Sequence, residues 1–332
     1  MNNAVTKDED VVNITDTTIG KVEIYDASAS ELIDRNATIE IIGRNYTWSE
    51  GPVWIESQNI LLFSDVPENK IYSWHEGDTP TVFLTPSGYT GNVKRIGGED
   101  GANGLALDNQ GRLLLCQSGN RKVVQLNSSY EKPIPQFTVL SANYQGKKFN
   151  SPNDLVTDSR NNIVFTDPIY GLPQREKDST RELSFEGVYK IGANGKTILL
   201  IDSIKNPNGI GMSPDEKTLY VGSSNAVHPG WYAYSIDTNG SIIKGGLFID
   251  GTKRKETASV QQGADGFKID RSGNIFSSGP DGINIFSSAG KLLALIKIYN
   301  RPTSNCAFNT KGDLLFVTAD DLLLKITLHP KE

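Results

Sequence analysis

The sequence predicts an all-β chain folded as a six-bladed β-propeller, and three observations carry that reading. One unit recurs six times: a polar residue, often followed by Gly, then a short apolar stretch, a polar turn and a second apolar stretch. The copies read EGPVWIESQNILLFSD from Glu50, NGLALDNQGRLLLCQS from Asn103, NDLVTDSRNNIVFTD from Asn153, NGIGMSPDEKTLYVGS from Asn208, DGFKIDRSGNIFSSG from Asp265 and NCAFNTKGDLLFVTA from Asn305. Successive starts lie 53, 50, 55, 57 and 40 residues apart, which suits one propeller blade per copy. The second observation is the turn chemistry: SQN, NQG, SRNN, PDEK, RSG and TKG sit between apolar flanks as hairpin signals. The third is the lack of any long 3.6-residue period between strands, which removes a parallel α/β arrangement.

Taken in order, residues 1 to about 20 read as a loose tail and residues 21–332 as a single propeller domain. ASASELIDR (27–35) is the one modest helix candidate. ATIEIIG (37–43) is a strand that precedes the first full copy, and it is expected to close the ring as the outer strand of the last blade, beside LLLKITL (322–328). A third strand follows each hairpin: KIYSW (70–74), KVVQL (122–126), GVYKI (187–191), WYAYSI (231–236), GINIF (282–286) and LLLKITL.

Composition narrows the function. The 332 residues carry 33 basic and 39 acidic side chains, a net charge of −6, with a pI near 5.3 and no dense Lys/Arg cluster, which argues against nucleic acid. No run approaches the roughly 18 apolar residues of a membrane span. The opening MNNAVTKDEDVVNITD lacks a signal-peptide pattern, so the expected compartment is the cytoplasm, or the periplasm or exterior if a leader has been removed. Cys116 and Cys306, far apart in apolar strand-like runs, read as buried free thiols. The oligomeric state is not legible.

Rotation about a propeller axis places the residue that opens each copy at one height. Glu50, Asn103, Asn153, Asn208, Asp265 and Asn305 are therefore predicted to ring the pore mouth with side-chain oxygens. Asn-Gly and Asp-Gly are also ordinary turn dipeptides, but six positions in register, one of them Glu, exceed what turn chemistry requires. Two carboxylates with neutral amide oxygens suit a hard cation, Ca²⁺ first. Mg²⁺ and Mn²⁺ remain compatible; Zn²⁺ fits less well, because His75, His228, His329 and the cysteines lie outside the ring, Cys306 beside Asn305 excepted.

In combination the motifs WSEGPVW (48–54), ANGLALD (102–108), FNSPNDLV (149–156), VFTDPIYG (164–171), NPNGIGMSPDEKTLYV (206–221), GADGFKID (263–270) and PTSNCAF (302–308) resemble the gluconolactonase/senescence-marker-protein (regucalcin) family, and bacterial gluconolactonase-like members in particular. The resemblance spans residues 40–328. It implies that Glu50, Asn153, Asn208 and Asp265 are metal ligands and that Asp265 is also the catalytic base or nucleophile. It places Asn103 and Asn305 near the substrate, with Arg121, Asp154, Asp167 and Tyr170 bordering the pocket. For Asp167 a purely loop-holding role competes with a substrate role, and for Arg121 a blade-to-blade salt bridge does. Ser118 stands where bacterial relatives often carry His, which bears on substrate identity.

The implied activity is metal-dependent hydrolysis of a sugar lactone: Lewis-acid polarisation of the carbonyl, with water attacking under the control of Asp265. Either Asp265 keeps an oxygen free of the ion or the water is itself held by the ion. Two alternatives stay open. One keeps the ring but takes other lactones, aryl esters or phosphotriesters. The other is a non-catalytic calcium-binding propeller scaffold, since fold alone does not give function.

Overall fold

The computed structural model describes residues 18–93 and 95–329. Six antiparallel sheets follow one another along the chain. Blade 1 comprises Ser49–Ile55, Ile60–Asp65, Lys70–Trp74 and Thr81–Leu84, and blade 2 Ala102–Leu107, Leu113–Gln117, Lys122–Leu126 and Phe137–Ser141. Blade 3 comprises Leu155–Thr157, Ile163–Asp167, Gly187–Ile191 and Thr197–Ile201, and blade 4 Pro207–Met212, Thr218–Ser223, Gly230–Ile236 and Ile242–Asp250. Blade 5 runs Phe267–Ile269, Ile275–Gly279, Gly282–Phe286 and Leu292–Ile298, and blade 6 Asn305–Phe308, Leu314–Ala319 and Leu322–Thr327. The chain is thus a six-bladed β-propeller, and the third strands fall within a residue of their predicted bounds.

Blade 6 takes its outer strand from the N-terminal side. Ile39–Arg44 pairs antiparallel with Leu322–Thr327, with Ile39 opposite Ile326 and Arg44 opposite Leu322, as the ring-closure argument requires. A second N-terminal strand, Gly20–Ile24, pairs with Leu292–Ile298 and makes blade 5 five-stranded. The tail reading therefore falls on residues 1–17, which lie outside the described residues, and on a segment that is already paired at Gly20. Between the two strands, the helix candidate is only a short 3₁₀ turn, Ala27–Glu31, capped by Asp26 Oδ1 on the Ser28 N–H. Ser and Asp favour such caps over a longer helix.

The apolar core is divided among the seams between blades. Leu62 and Ile71 of blade 1 pack with Leu105 and Leu115 of blade 2. Phe165 and Tyr189 of blade 3 pack with Cys116 and Val123 of blade 2. Trp231 of blade 4 meets Phe286 of blade 5 at 4.8 Å between ring centroids, and its indole N–H donates to Ser277 Oγ at 2.7 Å. The closing seam stacks Trp54 on Phe316 at 5.5 Å. Each such buried aromatic contributes on the order of 2–3 kcal/mol from area alone. Cys116 and Cys306 are buried and free.

The innermost strands contact one another around the axis, and a belt of hydrogen bonds joins them just where each copy of the repeat opens. Ser64 Oγ donates to the Asn103 carbonyl (2.9 Å), Gly104 N to the Asn153 carbonyl (2.7 Å) and Thr166 Oγ1 to the Asn208 carbonyl (2.7 Å). Ser224 Oγ donates to the Ala264 carbonyl (2.7 Å), Gly266 N to the Ser304 carbonyl (2.7 Å) and Ser304 Oγ to the Ser49 carbonyl (2.5 Å). The belt fixes the height of every ring residue, through its own carbonyl at Asn103, Asn153 and Asn208 and through the preceding residue's at Asp265, Asn305 and Glu50.

Candidate active site

Three of the inner strands bulge where they meet the ring. Pairing with the second strand shifts register between Glu50 and Val53, between Ala102 and Leu105, and between Pro207 and Ile210. A bulge inserts an unpaired residue and re-aims its side chain. The glycines that follow are packing requirements. A Cβ on Gly51, whose φ is +50°, would lie 2.0 Å from the Asn103 carbonyl oxygen, and one on Gly209 would lie 2.3 Å from that of Asp265. The Asn-Gly pairs of the repeat mark the close approach of neighbouring blades, not turns.

Glu50, Asn103, Asn153, Asp154, Asn208 and Asn305 are all buried, and Asp265 is partly buried. Glu50 Oε2 accepts from the Gly51 N–H at 2.9 Å and from Asn305 Nδ2 at 3.4 Å. The same amide nitrogen reaches Asp154 Oδ2 at 3.5 Å, so Asn305 bridges two acids, while its oxygen accepts from the Cys306 N–H (2.9 Å) and Lys268 Nζ (3.2 Å). Asn208 commits its nitrogen to Ser224 Oγ at 2.9 Å. Five buried side-chain polar atoms lack a hydrogen-bond partner among the described residues, and three of them are ring oxygens: Asn103 Oδ1, Asn153 Oδ1 and Asp265 Oδ1. Buried polar atoms are ordinarily paired, so this concentration on one axis marks a place built for something else.

The electrostatics agree. Burial pushes the Glu50 carboxyl up to about 8, with the charges of Asp154 and Glu99 adding to the rise. Asp265 is held well above the usual carboxylate range by burial first and then by Glu50, Glu99 and Asp154. Acids that raise one another in a closed space are relieved by protons or by a cation. The donor set fits a hard cation: carboxylate oxygens from Glu50 and Asp265 and amide oxygens from Asn153 and Asn208. No group of three His, Cys, Asp or Glu arranged to hold a metal occurs among the described residues, so the set leans on amide oxygen, unlike a zinc cage.

The remaining predicted residues separate. Tyr170 is drawn to the site: its ring lies under the Arg175 guanidinium at 5.4 Å, its hydroxyl is beside Ser224 and it feels the Asp265 charge. Asp167 is fully buried with its oxygens already taken, by the Asn150 N–H (2.8 Å) and Nδ2 (3.2 Å) and by the Ser151 N–H (2.8 Å). It holds the loop that leads into Asn153. Arg121 donates to the backbone carbonyls of Phe149 (2.5 Å) and Thr180 (2.9 Å) and makes no ion pair among the described residues, which clips that loop from the other side. Ser118 donates to the Pro152 carbonyl at 2.9 Å and lies beside Glu99. Glu99 itself, on the connection between blades 1 and 2, faces Glu50, Asp265 and Tyr170. The repeat does not point to it, because the connections between blades have no equivalent from blade to blade.

A closed ring of six antiparallel blades with unpaired oxygens converging on its axis defines the class: a propeller carrying its site at the pore mouth. The SMP-30/Gluconolactonase/LRE-like region matches residues 48–320, and the chain belongs to that family. It is 35% identical over 321 residues to a gluconolactonase of Zymomonas mobilis subsp. mobilis, covering 95% of this chain and 88% of that protein. Among solved structures, a gluconolactonase from Xanthomonas campestris matches with a TM-score of 0.78 at 31% identity, covering 93% of this chain and 94% of that one. A calcium-binding regucalcin from Agrobacterium tumefaciens shares the fold, with a TM-score of 0.66 at 17% identity over 88% of this chain and 96% of that one.

Proposed function

We propose that this chain is a lactonase that opens a sugar lactone, a gluconolactonase-like activity in keeping with the names of its 35% and 31% identical relatives. The observation that carries the reading is the trio of buried, unpartnered oxygens on Asn103, Asn153 and Asp265 beside the raised acids. Glu50, Asn153, Asn208 and Asp265 would hold a divalent cation, Ca²⁺ by preference. When bound, the cation supplies Lewis-acid polarisation of a carbonyl oxygen.

The protein's own groups do the rest. Asp265, through its unpaired oxygen, takes a proton from the water that attacks the lactone carbonyl carbon. As the ring C–O bond breaks, that proton returns to the departing alkoxide oxygen, and the product is an open hydroxy acid. Asn305, tied to Glu50 and Asp154, fixes the acids on the far side of the axis. Asn103 and Tyr170 line the approach and orient the substrate, which shortens the search for the reacting geometry.

The test is cation removal. Protein dialysed against a chelator should lose glucono-δ-lactone hydrolysis, followed by proton release at constant pH, and added Ca²⁺ should restore it. Full activity in metal-free protein would overturn the metal-dependent reading. Faster turnover of an aryl ester or phosphotriester than of any lactone would move the activity to that class.

A further inference from the structure

The connection between blades 1 and 2 supplies an acid that no blade repeats. Glu99 precedes Asn103 by one helical-turn distance in sequence but lies on irregular backbone fixed by Arg95. The Arg95 guanidinium donates to the Glu99 carbonyl (2.9 Å), to Asp100 Oδ1 (2.9 Å) and to the Gly171 carbonyl across the pore mouth (2.5 Å). The loop is thus clamped to the blade 3 loop that carries Tyr170. The Glu99 side chain has Asn103 Nδ2 (3.5 Å) and Ser118 beside it, which leaves a carboxyl group with acceptor capacity to spare. Beside it, Asn103 is 2% exposed and its Oδ1 has no hydrogen-bond partner among the described residues. Arg175, from the opposite loop, offsets part of the charge from over the Tyr170 ring.

Two acceptors side by side, a carboxyl group and a buried amide oxygen without a partner among the described residues, ask for a ligand that brings several donors. We propose that Glu99 is a specificity-determining residue that accepts hydrogen bonds from the hydroxyls of a polyhydroxylated lactone, with Asn103 Oδ1 taking an adjacent hydroxyl. This inference rests on the lactonase reading and names its substrate class. A lactone ring without hydroxyls would cover both acceptors without satisfying them, and a buried acceptor left unpaired is costly. Any effect of Glu99 on the neighbouring acids is common to every lactone, so the loss particular to its hydrogen bonds is read from the difference between a hydroxylated and a plain lactone.

The experiment compares kcat/KM for glucono-δ-lactone and for unsubstituted δ-valerolactone, in Ca²⁺-supplemented protein. Glu99→Ala should lose about 10- to 100-fold on the hydroxylated substrate, the range for hydrogen bonds to a charged group. On δ-valerolactone the loss should be about tenfold or more smaller, because no hydroxyl is there to bond. Glu99→Gln, which keeps the shape and one acceptor, should fall between and guards against misfolding of the alanine variant. Equal losses on both substrates, or no loss on either, would overturn the inference while leaving the lactonase reading intact. A parent protein that hydrolyses neither lactone would overturn both.

Discussion

The two ends of the innermost strands carry the same residue types with opposite fates. Asn103, Asn153 and Asp265 open their strands, and Asp108, Asp158 and Asp270 follow five residues later at the hairpins. At the hairpin end every Oδ1 is filled by turn backbone. Asp108 accepts from Gln110 and Arg112 N–H (both 2.9 Å), Asp158 from Arg160 (3.0 Å) and Asn162 (2.8 Å), and Asp270 from Ser272 and Asn274 (both 2.8 Å). At the opening end the corresponding oxygens accept nothing. Composition does not separate structural from functional acids here; the count of hydrogen-bond partners does. The hairpin set acts as turn chemistry, and the opening set keeps its oxygens unpartnered among the described residues, as the proposed ligand role requires.

The sharpest way to break this comparison is to exchange a charge at the opening end. Asp265→Asn should lower kcat for lactone hydrolysis about 10³-fold, the scale of a lost general base. It should leave the Tm of the metal-free protein unchanged or higher, because the amide removes a buried charge that Glu50, Glu99 and Asp154 oppose. A variant that unfolds while retaining residual turnover per folded molecule would place Asp265 with the structural set.

Asp167 crosses the comparison, since it lies near the opening end but has its oxygens filled. Burial pushes its carboxyl up to about 7 from the ordinary 3.8. The folded state therefore holds this proton more tightly than the unfolded chain. The stability this contributes is fully present below about pH 4 and is lost as pH rises toward 7. Unfolding free energies from urea titrations should fall between these pH values by an amount on the order of a few kcal/mol more in the parent protein than in Asp167→Asn. Parallel pH profiles for the two proteins would refute the assignment.

The smallest effect is expected at a hairpin. Asp158→Ala removes an oxygen from the Arg160 and Asn162 N–H groups and should cost about 1–2 kcal/mol of stability, with kcat unchanged. A loss of turnover at full stability would contradict a purely structural role for that end.

Most of the architecture was legible because blades repeat. The third strands, from KIYSW to GINIF, announce themselves by apolar alternation against fixed turns, and the closing role of Ile39–Arg44 follows from the need to finish a ring. The outermost strands were harder: Phe137–Ser141 and Ile242–Asp250 are half-exposed and carry little periodic signal. Gly20–Ile24 lies outside the repeat, with no hairpin turn beside it to announce a partner in blade 5. The ring positions came from the repeat, but what the glycines beside them do did not, because close approach between blades leaves no local trace. Glu99 was missed for the same reason, and the anchoring contacts of Arg121 and Asp167 depend on a loop conformation that only the folded chain specifies.

The closing strand also sets an order on biosynthesis. Ile39–Arg44 is made before blades 1 to 5, whereas its partner Leu322–Thr327 is made after them. Asn305, which ties together Glu50 and Asp154, arrives almost as late. A nascent chain therefore carries an unpaired strand edge and an incomplete ring until blade 6 has been made, a state prone to association with other chains. Completion of the last blade finishes the fold and assembles the site in one event, so a protein truncated before Leu322 would lose both together.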